Sequence, residues 1–487
     1  MNYIFLLGGL LLGWSLGANN TADMFGTAVG SKMLKLKTAL ITAAIFVILG
    51  AVFQGEYTSK NIGNLGKINA LGGAFTVCIA TAITVIWMTR AGFLVSITQA
   101  LVGGIVGWTL FAGDFINTKG ISNIFGAWVT APLLGFIFAF TLFKFFHRLF
   151  TTKPISLFSY DFYLRVSFII IGALAAFSFG ANNIANIVGV YIFSNPFPNI
   201  NTKIIRISSL QILLLVGSLS IAAGILTGSE KVIKTVGEKI LKLSPLAGIV
   251  VVLTQSLVLL IFSSKFIQNI VRLIGISLPL VPVPSSQVVI GAMIGIGFAR
   301  GGGRLINFGI LKDIVLAWVV TPIASAILSF LLLFFAQNVF QITVKYPTRY
   351  VIDMAVLQKI ENQKEVYSRV LKLKNSVFPN GRTLKMELQK VKGLDSEVIN
   401  SILELSRIDS IVVDSSKLEE IPKNWFTFEE IAELKKLHGR NYVHFWQFKE
   451  ELLKTPVFSR YSSTPQELRE FDKKLQILYY LFRKIYQ

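Results

Sequence analysis

The sequence predicts an all-α polytopic membrane protein made of two related repeats with discontinuous or re-entrant helices. A small soluble C-terminal domain follows, mainly helical or α/β. Three observations carry this. Hydrophobic residues make up 53% of the 487 and charged residues only 15%, against roughly a quarter charged in ordinary soluble domains. The charge is divided abruptly: residues 1–344 hold 22 Lys/Arg and 7 Asp/Glu, whereas residues 345–487 hold 25 and 19. A polar, Asn-centred motif also occurs twice, once in each half of the apolar region.

Spanning a bilayer as helix takes about 20 apolar residues. Runs that approach this length are 3–18, 37–54, 68–89, 95–113, 121–146, 162–180, 206–227, 245–263, 283–299 and 311–337. Segments 19–33 and 181–195 are apolar but open on paired Asn and are rich in Gly. They read as half-helices or re-entrant pieces, which survive at membrane depth only where protein or a water-filled cavity covers them. The N-terminus turns apolar at once, without a charged lead, and reads as a retained first helix.

The halves repeat in order. Ser15-Leu16-Gly17-Ala18-Asn19-Asn20-Thr21-Ala22-Asp23 matches Ser178-Phe179-Gly180-Ala181-Asn182-Asn183-Ile184-Ala185-Asn186. Thr98-Gln99 with Gly103 and Gly107 matches Ser286-Gln287 with Gly291 and Gly295. Ala127-Trp128-Val129 with Pro132 matches Ala317-Trp318-Val319 with Pro322. The offset grows from 163 to 188 and 190, so the second half carries an insertion, most naturally at 264–280. The resulting organisation is a first repeat over 1–150, a linker over 151–160, a second repeat over 161–340 and a C-terminal domain over 341–487. Interrupted apolar segments at matching positions of two halves mark a secondary transporter, with its site near the midplane between the repeats.

Composition excludes other classes. Of the net charge of +21, the apolar region holds 22 − 7 = +15, on residues that flank apolar runs. That placement suits anionic lipid headgroups, and no zinc-finger or aromatic ribonucleoprotein motif accompanies it, so lipid is an expected partner and nucleic acid is not. The single cysteine, Cys78, excludes an intrachain disulfide framework. No nucleophile–base pair or metal-ligand cluster stands out, so no enzyme and no cofactor are expected. In the C-terminal domain Leu371–Leu405 and Ser463–Tyr486 have helical periodicity, Ile411-Val412-Val413 reads as a strand, and Thr427 with Glu430 opens a helix by a capping box.

The chemistry concentrates in the repeated motifs. Asn19, Asn20, Asn182 and Asn183 are costly in lipid unless hydrogen-bonded, and an amide offers a carbonyl oxygen to a cation and N–H groups to an anion. Asp23 lies three residues past Asn20, on the same helical face. An intramembrane carboxylate is a candidate Na+ ligand or proton carrier. Ser96-Ile97-Thr98-Gln99 and Ser285-Ser286-Gln287 each precede a Gly-spaced apolar helix. Either cluster alone would read as ordinary N-capping. As a pair, two helix N-termini with added hydroxyls make a neutral, donor-rich pocket suited to a tetrahedral oxyanion. The four-residue spacing of Gly103/Gly107 and Gly291/Gly295 reads as packing.

Gly17-Ala18-Asn19-Asn20-Thr21-Ala22-Asp23-Met24-Phe25-Gly26-Thr27-Ala28-Val29-Gly30-Ser31 resembles the first signature of the inorganic phosphate transporter (PiT) family. Gly180-Ala181-Asn182-Asn183-Ile184-Ala185-Asn186 resembles its second copy, and Val95–Ala100 and Pro284–Gln287 are similar to its paired Ser-Thr-Thr-His segments. The resemblance covers residues 1–337. It implies inverted repeats around a central site, in the plasma membrane, that couples inorganic phosphate to Na+ or H+. By motif match Asn19, Asn20, Asp23, Asn182, Asn183 and Asn186 would hold the coupling cation. Asn20 and Asn183 would also help Ser96, Thr98, Gln99, Ser285, Ser286 and Gln287 hold the anion. The family usually carries Asp where this chain has Asn20 and Asn183, Asn where it has Asp23, and His where it has Gln99 and Gln287. Those departures leave sulfate or another oxyanion as an alternative cargo, and a passive channel or an anion sensor as alternative functions. Na+ is the only bound ion expected besides the cargo, and a homodimer is the oligomer expected if there is one.

Overall fold

The computed structural model describes the chain except residues 1–2, 92–94, 115, 153–155, 199, 202–205, 236–243, 274, 276–277, 302–307, 361–363, 392, 421–425, 463–464 and 483–487. Two compact units emerge: Met1–Ala112, Ile116–Asn199 and Ile207–Tyr346 form the first, and Gly113–Phe115, Ile200–Arg206 and Pro347–Gln487 the second.

The first unit is helical. Its elements are α1 (Leu7–Gly30), α2 (Leu36–Gly66), α3 (Leu71–Arg90), α4 (Ile97–Ala112), α5 (Thr118–Thr152), α6 (Leu157–Asn183), α7 (Ala185–Val188), α8 (Ser209–Gly228), α9 (Glu230–Thr235), α10 (Pro245–Ser263), α11 (Lys265–Leu273), α12 (Ser285–Gly301) and α13 (Phe308–Asn338). Among the described residues seven helices are long and apolar enough to cross a bilayer: Leu36–Gly66, Leu71–Arg90, Thr118–Phe150, Phe158–Ser194, Ser209–Gly228, Pro245–Ser263 and Val315–Asn338. α4 and α12 are shorter, at 16 and 17 residues.

The two Asn motifs fold differently. At the second, α6 stops at Asn183, Ile184 links to the single turn of α7, and a 3-10 helix continues over Gly189–Ser194. The expected interruption is present there. At the first, the expected half-helix over 19–33 does not form, because α1 runs unbroken from Leu7 to Gly30. Thr21 Oγ1 bonds back to the Gly17 carbonyl and Asn19 Nδ2 to Ser15 Oγ, while Asn20 finds its partner on another helix, so the polar side chains need no break in α1.

The helices of the two halves interlock. α1 packs along α8 and α2 along α6; α4 packs along α13 and α12 along α5. Matching α1 to α6, α2 to α8, α4 to α12 and α5 to α13 leaves this pattern unchanged on exchange of halves, as a two-fold relation requires. Glycines make the crossings possible. A Cβ at Gly50 would overlap the Phe177 carbonyl oxygen, and one at Gly180 the Val47 carbonyl oxygen. Gly103 meets the Pro322 carbonyl and Gly291 the Pro132 carbonyl in the same way, so these glycines are helix-packing seams. The insertion in the second half is also visible. Six residues separate α3 from α4, whereas the longer stretch between α10 and α12 holds α11.

Three two-stranded sheets are present among the described residues: β1 (Ile200–Asn201) with β2 (Arg206–Ile207), and, within the C-terminal part of the second unit, β3 (Tyr350–Val351) with β4 (Val377–Phe378) and β5 (Ile411–Val412) with β6 (Asn441–Tyr442). The helices of that part are α14 (Met354–Ile360), α15 (Lys364–Val370), α16 (Gly381–Lys390), α17 (Ser396–Ser406), α18 (Phe428–Lys436), α19 (Phe445–Lys454), α20 (Pro456–Ser459) and α21 (Pro465–Phe482). Leu371–Leu405 is therefore not one helical stretch. Pro379-Asn380-Gly381 follow β4 and break it, and Asn380 caps α16 by accepting from the Thr383 N–H.

This domain is itself a tandem repeat that the sequence did not reveal. Tyr350 pairs with Phe378 as Ile411 pairs with Tyr442, and Val351 with Val377 as Val412 with Asn441. Asn375 N–H donates to the Ile352 carbonyl at 2.7 Å, and Gly439 N–H to the Val413 carbonyl at 2.8 Å. Both donors adopt positive φ, 61° and 78°. Asp353 accepts from the Val356 N–H, and Asp414 from the Ser416 N–H. Leu384 and Leu388 of α16 are buried in the first copy as Phe448 and Leu452 of α19 are in the second. Each copy has its own apolar core.

The second copy holds a buried ion pair. Glu430 accepts from Lys474 Nζ at 2.9 Å on both oxygens, from Tyr461 Oη at 2.5 Å, from Arg460 Nη2 at 2.8 Å and from the Thr427 N–H at 2.9 Å. Burial opposes the charge, but these bonds outweigh it and hold the carboxyl below its ordinary range. Lys474 is likewise opposed by burial yet held above its ordinary range by Tyr461 and Glu430. The lowered Glu430 contributes stability above the unfolded carboxylate pKa, and this is lost as pH falls through the folded value. The raised Lys474 contributes below the unfolded amine pKa, and this is lost as pH rises through the folded value. Glu430→Ala should therefore destabilise this domain by about 3–5 kcal/mol at neutral pH, because it leaves a buried cation unpaired. The deficit should shrink in acid, as measured by thermal unfolding across pH.

Candidate functional site

Both hydroxyl clusters sit at helix N-termini, and each is met by the Asn motif of the other half. Ser285 opens α12, and its Oγ accepts from Asn20 Nδ2 of α1 at 2.9 Å. The same hydroxyl donates to Asp23 Oδ2 at 3.4 Å. In the counterpart, Thr98 lies in the first turn of α4, and its Oγ1 accepts from Asn186 Nδ2 of α7 at 2.9 Å. Asn186 Nδ2 also donates to Asn183 Oδ1 at 3.1 Å. The bonds join residues 265 and 88 positions apart. The helices interlock so that α1 contacts α12 and α7 contacts α4.

The two clusters share a plan but differ in what they leave over. In the first, Asn20 gives its N–H to Ser285 and Ser285 gives its O–H to Asp23. The chain of donors ends on a carboxylate, and the groups left over include, beside the second Asn20 N–H, acceptor oxygens on Asp23 and Asn20, which suit a cation. In the second, Asn186 gives its N–H to Thr98, and the Thr98 hydroxyl hydrogen has no acceptor among the described residues. Asn186 Oδ1 is buried without a hydrogen-bond partner. Thr98 and Asn186 are 2% and 0% exposed, so both unmet groups are sealed from bulk water. This cluster bears no charge and presents a donor beside an acceptor.

Other expected site residues separate into roles. Asn182 is fully buried and braces the segment that leads into α12, accepting from the Val283 N–H at 2.9 Å and donating to the Val281 carbonyl at 3.4 Å. Asn19, its counterpart, is exposed and among the described residues bonds Ser15, so it does not join the first cluster. Ser96 caps α4 by accepting from the Gln99 N–H. Ser286 is half-buried on the first turn of α12. Gln99 Oε1 and both amide atoms of Gln287 are buried without partners. Sequence reasoning passed over Thr254 and Gln255, whose side-chain polar atoms are likewise buried and unpartnered in α10. α10 packs against α1, α6 and α12, and the available signal was a polar pair in mid-span. Among the described residues no group of three or more His, Cys, Asp or Glu is placed to hold a metal ion.

The comparison with known proteins decides the family. A model described as the phosphate transporter family matches residues 16–163 and again residues 159–329. The chain belongs to the phosphate transporter family. Its double match coincides with the two interlocked halves, and with seven long apolar helices among the described residues it is a multi-pass membrane transporter, not an enzyme. A candidate phosphate permease of Thermococcus kodakarensis is 25% identical over 405 residues, covering 67% of this chain and 96% of the relative. A candidate phosphate permease of Chlamydia trachomatis is 26% identical over 428 residues, covering 66% and 95%. A solved structure described as the sodium-dependent phosphate transporter aligns with TM-score 0.54 at 25% identity, over 69% of this chain and 98% of that one.

Proposed function

We propose that this transporter is a secondary active symporter that carries inorganic phosphate together with a cation, Na+ or H+. The supporting observation is the pair of matched clusters, Asn20–Ser285–Asp23 and Asn183–Asn186–Thr98, each built from one motif of either half. Asp23 and Asn20 offer oxygens to the cation. Asn183, Asn186 and the hydroxyls at the α4 and α12 N-termini, Ser96, Thr98, Ser285 and Ser286, surround the anion. Gln99 and Gln287 supply further amides from the same helix starts. The resemblance to a sodium-dependent phosphate transporter favours Na+. The single carboxylate in the cluster would serve either a Na+ ion or a proton.

Counterflow tests the cargo. Proteoliposomes loaded with unlabelled phosphate should accumulate labelled phosphate transiently, and external sulfate in excess should compete poorly. Counterflow of sulfate without counterflow of phosphate would contradict the assignment.

A further inference from the structure

Hydrogen phosphate and sulfate are alike in shape, and both are divalent or nearly so at neutral pH. They differ in one bond. Phosphate still carries a P–OH hydrogen and so presents one donor among its acceptor oxygens, whereas sulfate presents acceptors alone. A buried site can tell them apart by offering a fixed acceptor, since a buried acceptor that meets a second acceptor loses the hydrogen bond it requires.

We propose that Asn186 is the specificity-determining residue, its Oδ1 accepting the P–OH hydrogen of phosphate while the neighbouring Thr98 hydroxyl donates to an unprotonated phosphate oxygen. The proposal rests on the assignment of this cluster to the transported anion and goes on to say how the anion is chosen. Three observations carry it. Asn186 is completely buried, and its Oδ1 has no partner. Its Nδ2 is held by both Thr98 Oγ1 and Asn183 Oδ1, which fixes the amide so that the carbonyl oxygen is the atom left unmet. Because Thr98 accepts from Asn186, its own hydrogen is left to donate. An acceptor and a donor anchored on one another therefore stand side by side, which matches the mixed face of hydrogen phosphate. The equivalent position of the other half is Asp23, whose charge repels a divalent anion, so the two clusters have diverged at the residue that matters.

The test is competition for labelled-phosphate counterflow by sulfate and by arsenate, which keeps an As–OH hydrogen. In the wild-type protein arsenate should compete about as well as phosphate, and sulfate roughly ten- to a hundredfold less well, the span expected for one unmet buried acceptor. Asn186→Ala should weaken phosphate and arsenate together and bring sulfate to near parity. Thr98→Ala removes a donor that serves all three anions and one of the two acceptors that hold the Asn186 amide, so it should weaken all three and lower the ratio less than Asn186→Ala does. Asn186→Asp keeps an acceptor in place and should retain the ratio despite weaker binding overall, so it carries the test if the alanine variant does not fold. Sulfate exclusion that survives Asn186→Ala, or is lost in Asn186→Asp, would overturn the proposal while leaving the phosphate assignment standing. Absence of phosphate counterflow in the wild-type protein would overturn both.

Discussion

Asp23→Asn should abolish cation-driven accumulation of phosphate while phosphate–phosphate exchange persists. The substitution is nearly isosteric and gives the first Asn motif the same amide that the second carries at the matching position, Asn186. It removes the charged acceptor at the end of the Asn20–Ser285–Asp23 series. Hydrogen bonds to charged groups are worth about 1.5–3 kcal/mol, and the proposed cation site would lose its carboxylate charge as well. The expected fall in driven uptake is on the order of a hundredfold. Exchange needs the anion cluster but no net cation movement, so it should continue. Gradient-driven uptake that is unchanged in Asp23→Asn would remove this residue from the coupling mechanism.

Gly180→Ala should prevent the protein from folding stably in the membrane, and Gly50→Ala should do the same. At Gly180 an added Cβ would overlap the Val47 carbonyl oxygen, and at Gly50 the Phe177 carbonyl oxygen, which are backbone atoms that no rotamer change can move aside. Both lie where α2 crosses α6, so a single methyl group pushes apart the two halves of the repeat pair. Overpacking of this kind costs about 1–3 kcal/mol in ordinary cores, and a rigid backbone contact places it at the upper end. Gly126, in α5, is the internal control, because a Cβ there meets nothing within 4 Å. Thermal stability in detergent should fall sharply for Gly50→Ala and Gly180→Ala and stay at the wild-type value for Gly126→Ala. Equal stability of all three would mean that the crossing is looser than described.

The sequence was most informative where chemistry is local. The face shared by Asn20 and Asp23 follows from three-residue spacing on a helix, and the placement of Thr98 and Ser285 at helix starts follows from a polar cluster ahead of a Gly-spaced apolar run. Both are present in the structure. The crossed pairing was not legible, because the partner of Asn20 is Ser285 of the other half and only the interlocking of helices brings them together. Nor could spacing show that α1 continues through its Asn pair while α6 stops at its own. The difference lies in Ile184 and the turns after it, where the chain changes from α7 to a 3-10 helix. Asn19 and Asn182 hold equal places in the repeat yet differ in burial, and only tertiary contacts with Val281 and Val283 commit Asn182 to bracing. In the C-terminal domain the duplication is carried by backbone register and positive φ at Asn375 and Gly439, not by side-chain identity, so periodicity could not find it.

Phosphate movement in this transporter is proposed to be coupled to a cation. The most direct test of this coupling is labelled-phosphate uptake into proteoliposomes under an imposed inward Na+ gradient, an imposed inward H+ gradient, or neither. The prediction is accumulation above the external concentration under one gradient and simple equilibration without it. Equilibration at the same rate and to the same level in all three conditions would contradict coupling and mark the protein as a passive pathway.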